Sequence, residues 1–330
     1  MISESRLADL RARLITAIQS GGQVNAIILS GGLDTSILAE VGKDLVGLKY
    51  AVTVLTSPDA TDAPYATAIA KKLGLEHIVI RYDSPLELIG EKEVLDFAVE
   101  TLCTFDPMDD GADEIFAGYS FVRSKSNDDL KAYIRHLTTI WRFSAGPLAA
   151  KLNIRVVQPY MDAQVVGFAL SCDRPDLINM HDGAEHGKYC LRMAFPWVHS
   201  AWRGKDPIEV GAGTTVLPKL LAASTPTADL ERGIRDAKNQ YGITIRDAEH
   251  LLYFQHFRAI FLDRPHAPAP ETTTELTELT EADARTRRVL PVRHGSDPCR
   301  ECAYQLQAPT QMFCVVCGAW PARDVPVAKA

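Results

Sequence analysis

The segment Ser30-Gly31-Gly32-Leu33-Asp34-Thr35-Ser36 limits the available folds more than any other, because an apolar strand turns into a helix there. Residues 26–29 read as a short buried strand. Ile37-Leu38-Ala39-Glu40-Val41 continues with helical spacing, so a helix is expected from Thr35. Two glycines at such a junction reach backbone conformations closed to other residues and let a ligand come close. The helix start offers unpaired N–H groups and the positive end of its dipole, a combination suited to an anion, most often phosphate. Asp34 is of the type that shares a magnesium ion with phosphate oxygens. An ordinary Gly-rich turn capped by Ser or Asp accounts for the local pattern equally well. No Gly-Lys-Ser/Thr follows the glycines, which excludes the common nucleotide P-loop.

The first eighty residues keep this alternation. Tyr50–Leu55 reads as a strand, Ala63–Leu73 as a helix closed by Gly74, and residues 77–80 as a third strand. Short apolar strands separated by helices predict a parallel sheet with right-handed crossovers, and in such sheets ligands bind off the C-terminal strand ends. From about Pro85 the pattern is almost entirely helical, over residues 86–102, 113–121, 129–143, 163–170, 184–195, 230–240 and 245–261, with one more buried strand at 155–157. After Asp263, three prolines and a Thr/Glu run read as a linker, with 281–289 a short helix. The expected organisation is an α/β domain over 1–264, a linker over 265–295 and a small module over 296–324. The 330 residues carry a net charge of −7 and neither a membrane-length apolar run nor a signal-peptide core, so a cytoplasmic protein is expected. The mild negative charge argues against wholesale coating of nucleic acid, although a local basic patch is compatible with it.

A second constellation is Asp106-Pro107-Met108-Asp109-Asp110-Gly111-Ala112-Asp113-Glu114-Ile115-Phe116-Ala117-Gly118-Tyr119. Five carboxylates within nine residues repel one another unless a cation or cationic substrate neutralises them. A solvated acidic loop that caps a helix at Asp113-Glu114 is the plainer reading of this stretch alone.

Taken together, these stretches resemble a known superfamily. Ser30–Ser36 matches the Ser-Gly-Gly-x-Asp-x-Ser signature of the N-type ATP pyrophosphatases, and Asp-Gly-Ala-Asp-Glu-Ile-Phe-Ala-Gly-Tyr is similar to the second signature of the asparagine synthetases. Ala51-Val52 ahead of Ser57-Pro58-Asp59, Gln158-Pro159-Tyr160-Met161-Asp162, Lys188-Tyr189-Cys190-Leu191-Arg192 and Arg203-Gly204-Lys205-Asp206-Pro207 follow in the family's order, over roughly residues 20–220. The resemblance implies a PP-loop (adenine nucleotide α-hydrolase-like) fold whose helical second half completes the synthetase region. It implies an enzyme that uses ATP and Mg²⁺ to adenylate a carboxylate, aspartate being the best guess, and passes the acyl group to an amine or ammonia. Ser30, Gly31, Gly32, Thr35 and Ser36 would hold the phosphates, with Asp34 and Asp113 on magnesium, and Leu29 and Val52 flanking the adenine. Lys205 would meet the departing pyrophosphate. Asp110 would steer or deprotonate the amine, and Glu114 would pair with a substrate ammonium or second metal.

Three departures qualify the resemblance. Met108-Asp109 replaces the family's Ser-Gly, and Gly187 precedes Lys188 where Glu is usual. The glutaminase domain that begins with a cysteine at position two is also missing, since this chain has Ile2, so nitrogen is expected from free ammonia, a substrate amine or a separate ammonia-supplying subunit.

Cys299-Arg300-Glu301-Cys302 and Cys314-Val315-Val316-Cys317, eleven residues apart, present four thiolates with the spacing of a structural zinc ribbon. Zinc would supply most of the folding energy of so short a module. Such a ribbon binds RNA, binds protein or packs on its own enzyme. The basic segment Arg285, Arg287, Arg288, Arg293 and His294 is weak support for RNA. Two other readings stand beside the ligase. One is a tRNA-thiolating PP-loop enzyme with Cys103 carrying sulfur; the other is a non-catalytic nucleotide-binding scaffold.

Overall fold

The computed structural model describes residues 2–106, 113–140, 143–263 and 288–324. They gather into two compact units built from interleaved segments: residues 1–84, 110–141 and 157–215 form the first, and 85–109, 142–156 and 216–330 the second. The second unit takes in the ribbon together with helices on both sides of the first unit's middle segment.

The chain opens with a helix not anticipated above, α1 (Glu4–Ser20). The Ser3 hydroxyl caps it, and Leu7, Leu10, Leu14, Ala17 and Ile18 form a buried stripe at spacings of three and four. Strand β1 (Ala26–Ile28) leads through the glycine turn into α2 (Leu33–Val46), then β2 (Tyr50–Leu55), α3 (Ala63–Leu73) and β3 (Glu76–Arg81). The three strands pair in parallel in the order β1-β2-β3, with Ile28 opposite Val52 and Val52 opposite Ile78. The alternation in the sequence is thus realised, with a correction. Residues 26–29 are not uniformly buried, since Leu29 is fully buried while Ile28 is 69% exposed and Ile78 42% exposed. Helix α2 packs on β1, and α3 packs on β2 and β3.

The helical region departs from expectation at several points. The stretch 86–102 is two helices, α4 (Pro85–Gly90) and α5 (Lys92–Leu102). No α-helix forms over 113–121, where only a 3₁₀ turn begins at Ser120. The Gly118 N–H instead donates to the Asp113 carbonyl at 2.9 Å and Ala117 takes φ 55°, closing a wide turn that a helix could not contain. Helices α6 (Asn127–Ile140), α7 (Ala145–Lys151), α8 (Ala163–Leu170) and α9 (Arg174–Leu177) follow, and residues 155–157 form no strand. The supposed helix 184–195 begins instead as a hairpin of β4 (Asn179–His181) and β5 (Ala184–His186). Asp182-Gly183 turns it with both residues at positive φ, a type I′ signal that the helical spacing concealed. Only α10 (Tyr189–Ala194) is helical there. Helices α11 (Ile208–Ala212), α12 (Leu217–Ser224), α13 (Thr227–Tyr241) and α14 (Ala248–Phe257) complete the order.

The first unit's core joins the α1 stripe to Leu29, Ile37, Ile69, Phe116, Leu191 and Phe195. The second unit's core joins Leu95, Val99, Phe105, Phe254 and Phe257 to the ribbon's own Tyr304, Val316 and cysteines. Among the described residues no helix is long and apolar enough to cross a membrane. The linker over 265–287, most of the 281–289 helix and the acidic residues Asp109 and Asp110 lie outside the described residues.

Candidate active site and metal centre

The glycine turn falls at the C-terminal end of β1, where a parallel sheet places its ligands. Gly31 takes φ +72°, and a Cβ there would stand 2.6 Å from the Ala66 nitrogen, so only glycine lets the turn lie this close to α3. Side chains brace the turn from within. The Ser36 hydroxyl, fully buried, donates to the Gly32 carbonyl at 2.6 Å, and Ser30 Oγ accepts from the Gly32 N–H at 3.2 Å and meets Thr35 Oγ1 at 3.1 Å. Ser200 donates to the Gly31 carbonyl at 2.6 Å, and Arg203 reaches the Ser30 carbonyl at 3.3 Å while pairing with Asp62 at 3.0 Å. Burial raises the Asp62 carboxyl above its usual range despite that guanidinium.

Next to this turn four charged side chains from distant parts of the chain meet. Lys188, at the head of α10, has its ammonium between Asp34, which starts α2, and Asp113. It lies 2.8 Å from Asp113 Oδ1, and Lys205 approaches the other oxygen of Asp113 at 3.0 Å. Burial opposes a charge on Lys188, but Asp34 and Asp113 hold its ammonium above the usual lysine range. Burial likewise opposes a charge on Asp113, and the two ammoniums outweigh it, holding the carboxyl below its usual range. Lys188 takes φ 56°, a left-handed conformation costing about 1–2 kcal/mol for a residue with a Cβ. Its N–H donates to the Phe116 carbonyl at 2.9 Å, and the two ion pairs hold the rest of it in place. A Cβ at Gly118 would overlap Asp113 Oδ1 and Lys188 Cε, and one at Gly187 would overlap the Ala117 carbonyl. Glycine at position 187 therefore lets these two turns touch.

Glu114 is buried and accepts a hydrogen bond from the Tyr119 hydroxyl at 2.6 Å, with its second oxygen unpartnered among the described residues. Burial is the main cause that pushes its carboxyl up to about 7, so it titrates near neutrality. A cavity of about 300 Å³ opens beside Lys188 and Lys205, lined also by Gly118, Arg123, Glu185 and His186.

The structure thus gathers Ser30, Gly31, Gly32, Thr35, Ser36, Asp34, Asp113, Glu114 and Lys205 in one unit. Leu29 is sealed in the core, and its N–H donates to the carbonyl of half-buried Val52 at 2.8 Å. Asp110 lies outside the described residues. Two residues that the sequence motifs contain without a role join the site: Lys188, and Tyr160, whose hydroxyl donates to the Asp34 carbonyl at 3.1 Å. Arg192 was also missed as a brace. It is buried and bonds the carbonyls of Gly187 (2.9 Å), Ala201 (2.6 Å) and Arg203 (3.0 Å), tying together the loops that carry Lys188 and Lys205. For magnesium, the buried Asp34 Oδ1, without a hydrogen-bond partner among the described residues, is the oxygen that fits. Asp113 is already shared by two ammonium groups.

In the second unit the Sγ atoms of Cys299, Cys302, Cys314 and Cys317 lie within 4.8 Å of one another. The pairs 299–317 and 302–314 are 3.8 and 3.6 Å apart, against about 3.8 Å for the edge of a tetrahedron with a zinc–sulfur bond of about 2.3 Å. The two knuckles share one backbone form. The residue after each pair, Ala303 or Gly318, takes positive φ and donates its N–H to the carbonyl of the first cysteine at 2.8 Å. Four thiolates with no open position fit a structural zinc. Cys103 is buried at the end of α5.

No family model and no curated protein matches the chain. Among solved structures it is similar to the NH3-dependent NAD synthetase from Campylobacter jejuni subsp. jejuni NCTC 11168 in complex with the nitrate ion. Identity is 14%, over 49% of this chain and 91% of that one, with a TM-score of 0.24.

Proposed function

We propose that the chain is an ATP-dependent amide-forming ligase, which adenylates a small carboxylate with release of pyrophosphate and passes the acyl group to an amine or ammonia. The observation that carries this reading is the convergence of Lys188 and Lys205 with Asp34 and Asp113 beside a glycine turn at the end of β1. Ser30, Gly31, Gly32, Thr35 and the start of α2 would hold the phosphates, with Ser36 bracing the turn, and the adenine would lie against β1–β2 near Val52. Magnesium, held through Asp34 Oδ1, would neutralise phosphate charge.

A carboxylate oxygen of the substrate attacks the α-phosphorus, and the bond to the pyrophosphate oxygen breaks. Lys205 and Lys188, fixed in place before the reaction, stabilise the charge that builds on that leaving group. The amine nitrogen then attacks the acyl carbon and AMP leaves. Glu114, poised near neutrality and hydrogen-bonded by Tyr119, would receive the amine's proton, with Asp110 steering the amine. Aspartate is the first candidate acid, and the nitrogen would come from free ammonia, a substrate amine or a separate subunit.

Carboxylate-dependent exchange of labelled pyrophosphate into ATP, screened over amino acids and small acids with magnesium, tests the reading. Exchange with aspartate establishes acyl-adenylation and leaves the nitrogen source open, and exchange with another acid renames the substrate. ATP binding without exchange under any acid refutes it in favour of a nucleotide-binding scaffold.

A further inference from the structure

The ribbon is woven into its own unit. Its cysteines, Tyr304, Leu306, Val316 and Ala319 share one apolar core with Phe105 and with Phe254 and Phe257 of α14. Arg288 and Arg293, two of the basic residues ahead of it, are spent on the same unit. Arg288 donates to the Phe143 carbonyl at 2.8 Å, and Arg293 to the carbonyls of Tyr241 and Cys302. An arginine committed to backbone oxygens is poorly placed to meet phosphate.

The second knuckle makes a further set of contacts with one short segment, Thr104-Phe105-Asp106. The Phe105 N–H donates to the Val316 carbonyl at 2.9 Å, and the buried Thr104 hydroxyl reaches the same carbonyl at 3.1 Å. Arg246 clamps both sides, with one nitrogen 2.6 Å from the Cys317 carbonyl and another 2.7 Å from Asp106 Oδ1. Gly318, at φ +68°, lies so close that a Cβ on it would overlap the Asp106 carboxylate. In the chain, Asp113 and Glu114 of the candidate site come seven and eight positions after Asp106.

We propose that the ribbon is an internal, metal-dependent anchor for residues 104–106, the approach to the acidic stretch, and not a recognition module for RNA or another protein. The carbonyls of Val316 and Cys317 point at Thr104, Phe105 and Arg246 because the chain around them is wrapped on the four sulfurs. Metal binding to such knuckles is coupled to their folding, so the order of this anchor follows metal occupancy. The inference stands whether or not the ligase reading does.

The test compares the full chain loaded with zinc, the same chain stripped by chelator, and two zinc-loaded variants, Gly318→Ala and Thr104→Val. Bound zinc is counted for each, and hydrogen exchange is followed by mass spectrometry on peptides ending at Asp106. One zinc per chain is expected. Stripping should speed exchange at the Phe105 amide about tenfold or more. Gly318→Ala, which pushes Asp106 away, and Thr104→Val, which removes one hydroxyl, should do so with zinc still bound. Phe105 protection that is unchanged on stripping, or unchanged in both zinc-loaded variants, overturns the proposal, as does failure to bind zinc. If stripping unfolds the whole unit, the two zinc-loaded variants decide alone. Zinc-dependent RNA binding with Phe105 protection unaffected would assign the ribbon outward instead. Pyrophosphate exchange measured in parallel keeps the two ideas apart, since inactivity of the zinc-loaded parent chain bears only on the ligase reading.

Discussion

Lys188→Met removes one charge from a buried group of four and keeps most of the side-chain volume. Lys188 and Asp113 are nearly inaccessible, with side-chain exposures of 5% and 8%, while Asp34 retains 22%. Removing one partner of a buried ion pair costs about 3–5 kcal/mol, because a desolvated charge is left behind. Lys205 still reaches Asp113, and Asp34 keeps some contact with water, so the lower end applies, about 3 kcal/mol. For a unit of this size, that lowers Tm by about 6–12 °C. The pH dependence follows from the two shifts. Lys188, raised in the folded chain, contributes fully at neutral pH and loses its contribution only as pH rises through its folded value. Asp113, depressed, contributes above its ordinary value of 3.8 and loses its contribution as pH falls through its lower folded value. Without Lys188, burial becomes the larger influence on Asp113 and raises its carboxyl, so acidification relieves the variant. Thermal unfolding by circular dichroism should therefore show a gap of about 3 kcal/mol at pH 7 that narrows toward pH 4.5. A gap below about 1 kcal/mol at pH 7, or one that widens on acidification, would refute the reasoning.

Two further substitutions read the same site. Gly118→Ala would drive Asp113 and Lys188 apart, and nucleotide-dependent exchange should fall by about a hundredfold or more while the fold survives by far-UV circular dichroism; near-normal activity would show that the pair is not part of the machinery. Glu114→Gln should remove the limb near pH 7 from the rate profile. Because the folded carboxyl titrates at about 7, above its ordinary 4.5, its contribution to stability is full below 4.5 and lost as pH rises through 7. The Gln variant should accordingly be more stable than the parent at pH 8, by about 3 kcal/mol, and match it near pH 4; equal stability at pH 8 would contradict the assigned burial.

The parallel β1–β3 sheet was legible because each element there is local. Apolar runs of strand length, Gly74 closing α3 and the glycine turn all act within a few residues. Helix α1 carries an equally local signal in its Ser3 cap and leucine spacing. The hairpin at residues 179–186 was hidden because apolar residues around it also fit a helical period, while Asp182-Gly183 carried the better signal. At 113–121 the helical spacing was overruled by contacts from far along the chain. Asp113 turns toward Lys188 and Lys205, and Gly118 must pass against both.

The sequence by itself determined the glycine turn, its acidic and basic companions and the four-thiolate spacing, because residue identity fixes backbone freedom, charge and metal preference. Tertiary structure alone decided that Lys188 stands between Asp34 and Asp113, and that Glu114 is buried enough to titrate near neutrality. It alone decided that the ribbon faces inward onto Phe105. Each of these depends on which distant segments exclude water from one another, and burial sets the strength of a charge pair or the pKa of a carboxyl far more than neighbours in the chain do.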